Sequence, residues 1–259
     1  METQNSIKVQ YVSDIHLEIW GRVPQEIKRY ADTLILAGDI GNIRIPLMKQ
    51  FIKDISALFK DVIFVPGNHE YYQMPGQTPY TMEQCEKEFQ EIASIYQNFH
   101  YLQKGIWKHP SGLEIYGTTC WSYIPDKLKE FIVNCLNDYH LIFTRPGKIM
   151  DPVESNSLFL DQSSWLLGKI EEGKPCIVVT HHIPSTKMCT KEFIGDNANC
   201  AFNSDLEALM QKNVKLWVCG HSHYETIENI KGVPVAINAI GYPMERSSFN
   251  INKLFEIKK

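Results

Sequence analysis

Asp14 with His16, Asp39, Asn68 with His69, the pair His181–His182, and His221 with His223 are the residues best suited to chemistry in this sequence. Carboxylate, carboxamide and imidazole form a donor set for borderline divalent ions such as Mn, Fe, Zn or Co. No cysteine stands among them, and such a set leaves positions open for water and phosphate oxygens. Two of the groups, Asp14–Ile15–His16 and His221–Ser222–His223, place their donors two residues apart. Residues i and i+2 of an extended segment face the same way, so each pair is expected to deliver two donors to one point. A single buried histidine is ordinarily a satisfied core residue. Here six of the nine histidines fall into these groups, and together they read as a metal site. His100, His109 and His140 lack such context and read as surface or structural residues, with His140 also a candidate to line the cleft.

Each group closes an apolar run. Strands are expected over 7–12, 33–37, 62–65, 176–180 and 216–219, and further ones over 113–117, 225–230, 233–238 and 254–257. Between them lie amphipathic stretches. The spacing of Leu47, Phe51, Ile55, Leu58 and Phe59 predicts a helix over 46–60. Others are expected over 82–96, 157–170 and 205–212, the last with Ser204 as its cap. This β-α-β rhythm favours an α/β fold, a sheet with helices against it. Ligands of open α/β sheets gather at the carboxyl ends of strands. Five strand ends side by side would therefore collect the polar groups in one cleft. The segment 122–155 is rich in proline and mixed charge without clear periodicity, and reads as an irregular insertion near the active face within a single domain, 1–259.

In this order and spacing the residues resemble the calcineurin-like metallophosphoesterases, whose pattern runs D-x-H, G-D, G-N-H-[DE], H, G-H-x-H. The chain has Asp14-Ile15-His16, Gly38-Asp39, Gly67-Asn68-His69-Glu70, His181 and Gly220-His221-Ser222-His223. The resemblance spans roughly residues 7–240. It implies two packed β-sheets flanked by helices, an α/β/β/α sandwich. It also implies two divalent cations, one held by Asp14, His16, Asp39 and His223, the other by Asp39, Asn68, His181 and His221, with Asp39 bridging. His182 competes with His181 for its place, and the His-x-x-Pro context ending at Pro184 favours His181. His69 is implied as the residue over the leaving group, and Glu70 as a supporting acid, not a ligand. Asn68, His69 and Arg44 are candidates to touch substrate, and Arg145 is a further cation that could clamp phosphate. The implied reaction is hydrolysis of a phosphate ester by metal-activated hydroxide. The alternative is a scaffold of the same fold without catalysis, which the complete ligand set disfavours.

Composition narrows the remaining choices. A net charge of −4 supplies no basic field for nucleic acid, so a small phosphomonoester or phosphodiester is the expected substrate. No apolar run approaches the roughly 20 residues of a membrane span. The start of the chain lacks a basic segment followed by an apolar one, and the seven scattered cysteines form no CxxC pair; both point to a reducing, cytoplasmic setting. Trp20, Trp121 and Trp217 are expected in the core, and Tyr71 and Tyr72 in the core or on the surface rather than stacked on a base or phenyl ring.

Overall fold

The computed structural model describes residues 6–245 and 249–258. Its first sheet contains β1 (Ser6–Val12), β2 (Thr33–Ala37), β3 (Asp61–Val65) and β4 (Phe99–Tyr101), joined by an edge strand from the far end of the chain. The second is built from β5 (Gly105–Lys108), β6 (Glu114–Gly117), β9 (Cys176–Val179), β10 (Val214–Cys219), β11 (Glu225–Ile230) and β12 (Val233–Asn238). Between β6 and β9 a small hairpin pairs β7 (Phe143–Arg145) with β8 (Lys148–Ile149), and β13 (Leu254–Lys258) closes the first sheet. Strand order is β13-β1-β2-β3-β4 in one sheet and β11-β12-β10-β9-β6-β5 in the other. The inner strands run parallel, and the antiparallel partners β13, β11 and β5 sit at three of the four edges.

Period-two alternation explains the layering. Val9, Tyr11, Ile35, Ala37, Ile63 and Val65 point from the first sheet into a seam, where they meet Ile115, Ile177, Val179, Leu216, Val218 and Ala236 of the second. The single-turn helix α1 (Leu17–Trp20) follows β1, and the intervening residues Val12, Leu34, Leu36, Val62 and Phe64 point outward onto two longer helices, α2 (Pro46–Leu58) and α3 (Met82–Ile95). On the other outer face Tyr116, Val178, Trp217 and Cys219 pack beneath α6 (Pro152–Glu171). Both faces of each central strand are thus covered, which is why β2 and β3 read as continuous apolar runs instead of alternating ones. The result is the α/β/β/α sandwich.

Several elements differ from the sequence reading. The helix expected over 205–212 is only a 3₁₀ turn, Glu207–Leu209. Leu206, Leu209 and Met210 are all buried from that single turn, and Met210 leaves helical geometry at ψ 77°. Ser204 does not cap it; its hydroxyl accepts a hydrogen bond from the Tyr123 amide. The segment 122–155 carries regular structure: α4 (Lys129–Cys135), α5 (Asp138–Leu141), the β7–β8 hairpin and the start of α6. A separate small core of Trp121, Ile124, Ile132, Tyr139, Ile142 and Met150 holds it against Tyr71 and Met82. α6 begins five residues before the expected 157, because Asp151 forms a capping box with Glu154 and Pro152 occupies its first turn.

Candidate metal centre

All five parallel strand ends meet at one edge of the seam. β1 leads to Asp14 and His16, β2 to Asp39, β3 to Asn68 and His69, β9 to His181, and β10 to His221 and His223. Asp14, His16, Asp39 and His223 form one group whose donor atoms lie within 4.8 Å of one another, and Asp39, His181 and His221 form a second. Asp39 is shared. Its Oδ2 lies 3.3 Å from His181 Nε2 and 3.8 Å from His16 Nε2, while Oδ1 accepts the His69 amide at 2.9 Å. In the first group His16 Nε2 and His223 Nε2 stand 3.0 Å apart, with Asp14 Oδ1 3.6 Å from the latter. Asn68 Oδ1 joins the second group, 3.1 Å from His181 Nε2.

The convergence of Asp14 with His16 does not come from extended backbone. Asp14, His16, Asp39, His221 and His223 all have positive φ, between 48° and 72°. This left-handed region is uncommon for residues with a Cβ and clusters at functional sites. β1, β2 and β10 therefore turn sharply at their ends, and cross-strand hydrogen bonds hold the turns. The amides of Asp14 and His16 donate to the carbonyls of Gly38 and Asp39, and the His221 amide donates to Asp14 Oδ1. Glu70 fastens the loops after β2 and β3. Its buried carboxylate accepts from the amides of Asp39, Ile40, Gly41 and Gly67 at 2.6–3.1 Å. Gly67 is required there: a Cβ would stand 2.2 Å from Asp39 Oδ1.

Hydrogen bonds at the outer ring nitrogens fix how three histidines face inward. His181 Nδ1 donates to the Ala37 carbonyl at 2.9 Å, His223 Nδ1 to Glu245 at 2.8 Å, and His16 Nδ1 lies 3.4 Å from Glu18 Oε1. Each bond leaves Nε2 turned into the site, the usual arrangement around metal-binding imidazoles. His221 Nε2 is buried without a partner among the described residues. His182 points elsewhere, its Nδ1 at 2.9 Å from the Ser122 hydroxyl and its ring stacked on His221 at 4.3 Å. Of the adjacent pair, His181 is the one whose ring nitrogen faces Asp39 and Asn68.

The electrostatics describe a site short of positive charge. Burial works against a charged His181, but the Asp39 carboxylate outweighs it and lifts its pKa to about 10. Burial likewise opposes a charged His69, and Asp39 and Glu18 raise it to about 9. His182 and His221, farther from the carboxylates, are pushed down by burial, His182 to about 3. Protons on His181 and His69 thus balance the buried acids. A cation between the inward Nε2 and carboxylate atoms would take over that balance, so the donor set and its orphaned nitrogen fit a divalent metal.

Around these groups stand residues that sequence reasoning did not single out. Glu18 Oε1 lies 3.0 Å from His69 Nδ1; burial opposes its ionisation, yet hydrogen bonds from His16 and His69 hold its pKa at about 2. Asp14-x-His16-x-Glu18 continues a two-residue spacing that could have drawn notice. Tyr242 brings its hydroxyl to 3.1 Å from His69 Nε2 and its ring against those of His16 and His223. Asp138, from the insertion, accepts from Asn68 Nδ2 at 2.8 Å and from the Tyr72 hydroxyl at 2.6 Å. Tyr72 stacks on His69 at 4.2 Å, so it belongs to the site and not to core or plain surface. Trp121, Trp217 and Tyr71 are in the core, and Trp20 is half-buried, donating to the Gly241 carbonyl. Arg44 is not brought to the site: its guanidinium lies over the Tyr80 ring, 4.7 Å away. Arg145 and His140 are exposed, and neither lines the cavity at the site.

The sequence profile of the calcineurin-like phosphoesterases matches residues 7–225. The chain belongs to that family. It is 28% identical over 269 residues to an uncharacterised protein, L509, of Acanthamoeba polyphaga mimivirus, covering 93% of this chain and 94% of that one. Its fold is similar to that of the phosphopantetheinyl hydrolase PptH from Mycobacterium tuberculosis, with a TM-score of 0.72 at 16% identity over 92% of this chain and 91% of the other. It is also similar to TT1561 of Thermus thermophilus, with a TM-score of 0.54 at 12% identity over 98% and 99% of the two chains.

Proposed function

We propose that this family member is a metal-dependent phosphoric ester hydrolase acting on small phosphomonoesters or phosphodiesters. The observation that carries the reading is the pair of donor groups sharing Asp39, with the His69 imidazole directly beside them. Asp14, His16, Asp39 and His223 would hold one divalent cation, and Asp39, Asn68, His181 and His221 the second. Such cations supply charge neutralisation at phosphoryl oxygens and make water acidic enough to attack. The protein's own part is positional. Glu18 and Tyr72 hold His69 so that its Nε2 can give a proton to the departing oxygen. Asp138 occupies the Asn68 amide nitrogen, so that the carboxamide oxygen is the atom turned inward. All seven cysteines are free, which supports a reducing compartment such as the cytoplasm. Among the described residues no helix is long and apolar enough to cross a membrane.

The test is a hydrolysis screen of the purified protein with Mn, Fe, Zn or Co and with chelator. Its substrates are p-nitrophenyl phosphate, bis-p-nitrophenyl phosphate, cyclic nucleotides and single-stranded DNA. Hydrolysis of the small esters, abolished by chelation, is the expected result. Asp39→Asn should cost more rate and more bound metal than removal of any single donor serving one group. Chelator-resistant turnover, or a near wild-type Asp39→Asn enzyme, would sink the reading.

A further inference from the structure

The metal centre is the floor of a cavity of about 460 Å³, within the roughly 300–1,000 Å³ typical of pockets that enclose drug-sized ligands. Phosphate alone needs only the floor. The remainder extends from that floor between the α4–α5 insertion and the segment after β9. Its walls include Leu136, Ile183, Phe193 and Phe202, brought by the insertion and by the segment between β9 and β10. Phe193 is 53% exposed, so much of its ring is free to be covered by something that enters. Asp138, Asp196 and Glu245 add negative charge to the lining.

From this cavity, and resting on the hydrolase reading above, we propose that the preferred substrate carries one phosphoryl group on an uncharged, largely apolar leaving group several carbons long. Apolar walls stabilise such a chain through burial, at about three- to fourfold in affinity per methylene. A second phosphate in the same space would meet the like charge of Asp196 and Glu245, which is costly. Nucleotide polyphosphates, sugar bisphosphates and nucleic acid strands are disfavoured on the same ground.

The experiment is calorimetric titration of the metal-loaded protein with ethyl-, butyl- and hexylphosphonate, and with hexane-1,6-bisphosphonate. Affinity should rise at least threefold per added methylene along the series, and the bisphosphonate should bind at least tenfold more weakly than hexylphosphonate. Leu136→Asn should flatten the series, while Leu136→Met, which keeps an apolar side chain of similar volume, should preserve it. Equal affinity from ethyl to hexyl, or tighter binding of the bisphosphonate, overturns the assignment. Absence of turnover on p-nitrophenyl phosphate would instead count against the hydrolase reading, and the phosphonate series would still judge the cavity.

Discussion

At His69 three neighbours define one imidazole: Glu18 at Nδ1, Tyr242 at Nε2 and Tyr72 on the ring face. A ring held this way keeps Nδ1 on a carboxylate, while Nε2 faces a tyrosine hydroxyl whose place a leaving oxygen would have to take for His69 to act as a general acid. His69→Ala should lower the rate by about 10²–10⁴ on an alkyl phosphate. It should lose far less on a p-nitrophenyl ester, because nitrophenolate leaves without a proton. Metal content, measured by elemental analysis, should be unchanged. An equal loss on both esters would reduce His69 to an electrostatic role, and loss of metal would make it a ligand. Glu18→Gln should repeat the leaving-group pattern at about a tenfold cost, since the amide keeps a hydrogen-bond acceptor but not the charge.

The α4–α5 insertion sends Asp138 to Asn68 and Tyr72, so an element outside the two sheets helps to orient a donor that β3 delivers. Removing a partner that orients a ligand typically costs 10–100-fold in metal affinity. Asp138→Ala should therefore weaken metal binding by that amount while circular dichroism stays native. Asp138→Asn, which can still accept from the Asn68 amide, should recover part of the loss. Unchanged metal affinity in Asp138→Ala would dismiss the orienting role. Not all of this was readable from sequence. Strand ends were legible because uniformly buried strands produce unbroken apolar runs, which a donor residue then punctuates. The strands β4 and β5 escaped notice: β4 has three residues, and β5 alternates half-buried with exposed positions. Asp138 and Tyr242 could not be found by spacing, since they reach the site from distant chain segments that only packing brings near. The turn at Asp14–His16 was hidden for another reason. A two-residue interval looks the same in extended and in left-handed backbone, and only the positive φ tells them apart.

Across the whole molecule the site is a joint between two sheets, with Asp14, His16, Asp39 and Asn68 from one side and His181, His221 and His223 from the other. An ion bound to both would favour the folded chain by mass action, about 2.7 kcal/mol at a concentration 100 times its Kd. For a chain of 259 residues that amounts to a rise in Tm on the order of 5–10 °C. Thermal melts with chelator and with added Mn should show this gap, and the chelated protein should remain folded at room temperature, because the seam core and Glu70 hold the loops without metal. Identical melting temperatures would argue against binding across the joint. The shared centre also bears on how the protein is made. His223 stands 3.0 Å from His16, yet it follows that residue by 207 positions in the chain. At roughly 5–20 residues per second the ribosome takes at least about ten seconds to bridge them. Late in that interval the donors from Asp14 to His181 are already synthesised and His221 and His223 are not. A nascent chain halted before β10 would therefore carry Asp14, His16, Asp39, Asn68 and His181 without His221 and His223, and so without the complete donor set of either group.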